Sequence, residues 1–252
     1  MSVPIFNYQL ARIQICQMFK EIARCSVLSM CLLTSVMLRG QILEEGLTIR
    51  FQSIFNGQQI SLEEPIKDTL GDSLSLHTLK FYLSNFVFLK KGAVVMQEKN
   101  RYHLLDLEDE NTLNLKFTGI SKMDFDQVQF NLGIDSLTHT SGAMNGDLDP
   151  TKGMFWTWQS GYINLKLEGF FEKCPTQNHR FEFHLGGYLA PHQTVQTVRL
   201  KVPNGNNFQL QLDLTAFFKQ VDWEKKHHVM SPCKEAVAAS KTLANSFSIH
   251  AK

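Results

Sequence analysis

Residues 146–187, GDLDPTKGMFWTWQSGYINLKLEGFFEKCPTQNHRFEFHLGG, bring two tryptophans and a histidine into one strand-forming region. Trp156 and Trp158 stand two apart, so an extended FWTWQ puts both indoles on one face of a sheet. About two strands later comes FEFHLGG, in which His184 shares its parity with Glu182 and Gly186, opposite Phe181, Phe183 and Leu185. The two glycines permit a close backbone approach or a left-handed turn and leave the imidazole at a strand end. A neutral imidazole is a good copper ligand, of intermediate softness and able to bind through either nitrogen. A backbone-bonded histidine is the plainer alternative, and the tryptophans can equally be core or cavity-lining rings.

His227 and His228 precede VMSPC. Neighbours in an extended segment point in opposite directions, so one of them at most faces any site, and His228, directly before VMSP, is the candidate. His77, His103, His139, His179 and His192 offer further imidazoles that the sequence does not rank. Asp147 and Asp149 in GDLDP, with Asp135 in GIDS, have the oxygen donors for calcium but not the twelve-residue loop with its closing glutamate. They read instead as turn and capping residues. A G-x-S-x-G elbow, an H-E-x-x-H pair, a P-loop and a dinucleotide fingerprint are all missing, which favours a binding protein over an enzyme.

The elements that must position these residues are strands. GLTIRFQSIF alternates with Leu47, Ile49 and Phe51 on one side, and Asn56-Gly57 supplies a turn into a second strand. Similar runs recur as LHTLKFYLSNFVFL, AVVMQ, TLNLKFTG, QVQFNLGI, GYINLKLEGFF, RFEFHLGG, TVQTVRLKV and NFQLQLDL. Nine or more strands predict an all-β, antiparallel sandwich or barrel-like domain. Two short helices are expected. One is DLTAFFKQV. The other is the C-terminal tail, with Ser231 as N-cap, Pro232 in the first turn and Phe247 on its buried stripe.

Ahead of these strands, Arg12, Lys20 and Arg24 lead into an apolar run of about fourteen residues, CSVLSMCLLTSVML. This is the layout of a secretory signal, shorter than the roughly twenty residues that span a bilayer. Residues 1–40 are therefore expected to be a cleaved signal and residues 41–252 one domain, periplasmic or secreted, with no stable membrane span. Its loss moves the formal charge from +1 to −2, and no basic patch suggests nucleic acid. Cys174 and Cys233 remain and are expected to form one disulfide, with two free thiols as the alternative.

The blocks LKFYLSNFVFL, YHLLDLED, FNLGIDS, GDLDPTKGMFWTWQSGYINLKLEG, FEFHLGG and HHVMSP, in this order, resemble the MbnP-like copper-binding family over nearly all of the chain after the leader. The resemblance implies an exported β-sandwich that holds one copper ion through histidines and a tryptophan oxidised to kynurenine. Opening the indole creates an aryl amine and a ketone that can reach a metal. On this chain the implied metal residues are His184, His228, Trp158 and Trp156, with copper as Cu(I) and no turnover. The competing expectation is a metal-free extracytoplasmic scaffold of the same fold, its tryptophans lining a groove for a protein or small-ligand partner.

Overall fold

The computed structural model describes residues 46–251, apart from residues 122–123, 159–160 and 206; the expected signal segment lies outside the described residues. The chain builds strands β1 (Leu47–Phe55), β2 (Gln58–Gln59), β3 (Ile66–Lys67), β4 (Ser73–Lys90), β5 (Ala93–Gln97), β6 (Tyr102–Asp106), β7 (Asn114–Phe117) and β8 (Gln127–Leu132). After helix α1 (Ser136–Thr140) come β9 (Phe155–Trp156), β10 (Gly161–Phe171), β11 (Arg180–Gly186), β12 (Gln196–Lys201) and β13 (Phe208–Asp213). Helix α2 (Thr215–Gln220), β14 (His228–Val229), α3 (Lys234–Asn245) and β15 (Phe247–Ala251) complete it.

The all-β expectation holds. One sheet runs β15-β13-β1-β2, with β7 also on β1. The other runs β12-β8-β4-β10-β11-β14, with β3, β5 and β6 on β4 and β9 on β10. Pairing is mixed rather than purely antiparallel, since β1 lies parallel to β13 and β11 to β14. In β1, Leu47, Ile49, Phe51, Ser53 and Phe55 are buried, as the two-residue period requires. The Asn56-Gly57 turn has φ of 49° and 77°, the left-handed pair that matches hairpin twist.

Strand β4 holds the larger sheet together. It runs for 18 residues, and its buried positions shift phase twice, from Leu74 and Leu76 to Leu79, Phe81 and Leu83, then to Phe86 and Phe88. Each shift is a bulge, the first opposite Glu168 and Gly169 of β10 and the second at Asn85. Extra residues of this kind bend a strand and re-aim its side chains. Between the sheets, Phe171, Phe181, Phe183, Phe217, Phe218 and Trp223 pack largely edge to face, with the Trp223 indole N–H donating to the Phe218 carbonyl at 3.0 Å.

Three expectations are corrected. Helix α3 starts at Lys234, because Pro232 packs against Gly187 and extended Cys233 caps the helix, its Sγ accepting from Ala236 N at 3.4 Å. Phe247 leaves the helix to begin β15, which covers the edge of β13, so a strand rather than a helix comes last. The thiols of Cys174 and Cys233 are unpaired; Cys174 Sγ donates instead to the Arg180 carbonyl at 3.0 Å.

Asn85 sits at φ 52° and its Oδ1 accepts from Gln97 Nε2 at 3.1 Å. Asparagine and glycine tolerate that backbone, whereas β-branched residues do not. Asn85→Val is expected to lower stability by about 1–3 kcal/mol and Asn85→Gly to stay close to wild type, as read by urea denaturation.

Candidate functional site

The face of the larger sheet turned away from the inter-sheet core carries ordered rows of polar residues. Register puts Lys80, Lys166 and His184 in one row and Thr78, Glu168, Glu182 and His228 in the next. Strand alternation places His184 here while Phe183 and Leu185 enter the core. The imidazole is 7 % exposed, and its Nε2 donates to Glu168 Oε1 at 2.6 Å. Thr78 donates to the other carboxylate oxygen at 3.2 Å, and Lys166 Nζ stands 3.5 Å from the first. The His184 hydrogen bond, more than any other influence, holds the Glu168 carboxyl down at about 2. Metal-binding histidines are characteristically oriented by such a carboxylate on the nitrogen away from the metal.

One row beyond His184, the six-membered ring of Trp156 packs against Gly186. A Cβ on Gly186 would stand 2.6 Å from Trp156 Cζ3, so only glycine admits the ring. At Gly187, with φ 131°, a Cβ would meet the His192 carbonyl at 2.3 Å. Both glycines are thus used for close approach. The strand expected through FWTWQ stops at Trp156; Thr157 and Trp158 form a turn. The indoles nevertheless stay together, with centroids 5.5 Å apart, Trp156 6 % and Trp158 64 % exposed.

Residues 134–158 close over this end of the sheet, where Ile134, Leu148, Met154 and Trp156 form a second small core with Tyr82, Leu104 and Tyr162. The Tyr82 and Tyr162 hydroxyls donate to the carbonyls of Asp147 and Leu148, both at 3.0 Å. His139 is fully buried, its Nδ1 accepting from Tyr162 N at 3.0 Å while its Nε2 has no hydrogen-bond partner. Burial pushes its pKa down to about 4, which keeps the ring neutral. Asn164 ties the same region inward, accepting from Ile134 N and donating to Thr194 Oγ1, both at 2.9 Å.

His228 does share the outer face, diagonal to His184 across β11 and β14, but it is exposed and its Nδ1 lies 3.0 Å from Glu182 Oε2. His227 bonds the Trp223 carbonyl, His179 the Cys174 carbonyl, and His103 pairs with Glu98. His77 pairs with Glu63. Asp135 and Asp149 cap the short helical turns that follow them, and Asp147 accepts from Leu104 N and pairs with Lys152. Among the described residues no cluster of three or more His, Cys, Asp or Glu is placed to hold a metal. Sequence reasoning missed Glu168. Its polar parity in LKLEG was visible, but its pairing with His184 depends on the register between β10 and β11.

An all-β sandwich of this topology has a counterpart among solved structures. MbnP from Methylosinus trichosporium aligns with a TM-score of 0.58 over 82 % of this chain and 98 % of that one, at 15 % identity, which establishes a shared fold. The sequence profile described as MbnP matches residues 44–233. The chain belongs to the MbnP family. Comparison with curated proteins gives no match.

Because the folded pKa of Glu168 is depressed from 4.5 to about 2, the hydrogen bonds to its carboxylate stabilise the fold above pH 4.5 and that contribution is lost as pH falls towards 2. Urea midpoints of wild type and Glu168→Gln are expected to differ at pH 6 and to converge across this window.

Proposed function

We propose that this chain is an exported copper-binding protein that captures, stores or hands over one Cu(I) ion without turnover. The observation that carries the reading is the His184 imidazole, fixed at Nε2 by Glu168 with the tryptophan pair one row away. His184 would bind through Nδ1, and His228, on the same face, supplies the second imidazole. Trp156 and Trp158 would wall the ion, and oxidation of one indole to kynurenine would add a donor. Two imidazoles beside apolar rings fit low-coordinate Cu(I); Cu(II) seeks further nitrogen or oxygen donors in tetragonal geometry.

A metal-free ligand-binding or scaffold role is the second reading. It rests on the carboxylates that already engage both histidines and on the missing three-donor cluster among the described residues.

Competition titration against a Cu(I) chelator separates the two. Wild type should bind one equivalent, Glu168→Gln should bind about 10–100-fold more weakly, and His184→Ala should lose more than that while remaining folded. Intact mass on the native-host protein reports kynurenine. Equal affinity in wild type and His184→Ala removes His184 from the site, and no binding by wild type supports the metal-free reading.

A further inference from the structure

Most histidines of this domain face a group that would accept a second ring proton. His77, His103, His184 and His228 each lie against a carboxylate, and His179 and His227 against a carbonyl. His139 does not. It is fully buried, its Nδ1 already accepts from the Tyr162 amide at 3.0 Å, and its Nε2 has no hydrogen-bond partner.

The same ring joins the covering segment to the sheet beneath it. It projects from helix α1, stacks on Tyr188 at 5.0 Å and meets Tyr162 edge to face at 5.8 Å. The Tyr162 hydroxyl holds the rest of the segment, accepting from Met144 N and donating to the Leu148 carbonyl, both at 3.0 Å. Among the described residues, the titratable groups that face the ring are Tyr162 from β10, Tyr188 from the segment after β11, and Asp135 ahead of α1. Asp135 is already engaged, accepting from Tyr102 Oη at 2.6 Å and from Thr138 N at 3.0 Å.

A second proton is poorly accommodated in this seat. An imidazolium donates from both nitrogens, so Nδ1–H would point at the Tyr162 N–H, donor against donor, and the charge would have no carboxylate in contact. Burial is the largest influence on the ring and holds its pKa down at about 4; the Asn164 side chain, Asp135 and the Ile134 carbonyl pull the other way without offsetting it.

We propose that His139 is an acid-sensitive latch: neutral, it pins residues 134–148 onto β10, and protonated, it leaves its seat so that this segment opens while the two sheets stay folded. Opening is local because the segment packs on the small core around Tyr82, Leu104 and Tyr162, a cluster separate from the one between the sheets, and such units open at less than the global free energy of unfolding. The released ring takes its proton near the ordinary 6.5 and the seated ring near 4, so closure is fully favoured above pH 6.5 and weakens as pH falls from 6.5 to 4. Asp135 and Glu168 are lowered from carboxylate values of 3.8 and 4.5, and the Tyr82, Tyr102 and Tyr162 phenols are raised from 10.0. None of these five groups therefore titrates between pH 6.5 and 4.5. The latch is independent of copper, because His139, Tyr162 and Tyr188 are not in the metal reading.

Hydrogen exchange read by mass spectrometry tests it, on the full chain with a metal chelator present and with the intrinsic pH dependence of exchange divided out. In wild type the opening equilibrium of residues 134–148 should rise about 30-fold between pH 7.5 and pH 5, with β4 unchanged. His139→Gln keeps an acceptor for Tyr162 N but does not titrate, and should show no such rise. His139→Leu lacks the acceptor and should be more open at both pH values. Should either variant fail to fold, the wild-type His139 ring resonance decides, since it must titrate together with the opening. Unchanged protection of 134–148 in wild type, an equal rise in His139→Gln, a ring that titrates without opening, or an equal loss of protection in β4 overturns the proposal.

Discussion

The residues of the outer face are held in place by hydrogen bonding to one long strand. β4 carries β10 and then β8 along one edge, and β3, β6 and β5 along the other. β11 reaches it through β10, and the tryptophan-bearing β9 is a hairpin partner of β10. The two bulges in β4 let it bend while every phase keeps its leucines and phenylalanines in the core. Between the bulges, Thr78, Lys80 and Tyr82 are therefore turned to the outer face, where they meet β10, β11 and the loops above.

That outer face divides into two electrostatic zones. Below Gly186, lysine, glutamate and histidine pair across strands, and the buried His184–Glu168 contact is the best shielded of these pairs. Above it, tyrosines, tryptophans and a neutral histidine predominate, and the charges present, Asp135 on Tyr102 and Asp147 paired with Lys152, sit in the capping turns. Gly186 marks the boundary, since only a residue without Cβ lets Trp156 lie on the strand. The neutral state of His139 fits the same division: an imidazolium there would place an unpaired charge beneath an apolar roof, a costly arrangement.

Strand content was readable because the two-residue period is set by burial on one face, and β1 follows it residue by residue. The phase shifts in LHTLKFYLSNFVFL were also present in the sequence, but a run of apolar residues on both parities conceals where a bulge falls. The parity of His184 and Glu168 could be read. Their contact could not, since register between β10 and β11 is a property of the assembled sheet. The tail misled for a related reason. Ser231 and Pro232 have the chemistry of a helix start, yet Pro232 is used to pack against Gly187 and the cap passes to Cys233. Phe247 fits a helical stripe, but β13 has an edge to cover, and tertiary pairing outweighs local preference. The cysteine expectation came from compartment and count alone, and neither carries information about distance.

The most direct test of the outer-face site is an anomalous difference map, recorded at the copper edge from crystals of the Cu(I)-loaded protein. The account predicts one strong peak about 2 Å from the Nδ1 atom of His184, with Glu168 still on Nε2 and the Trp156 indole alongside. A peak at Cys174 or Cys233, or anywhere else distant from His184, would contradict it.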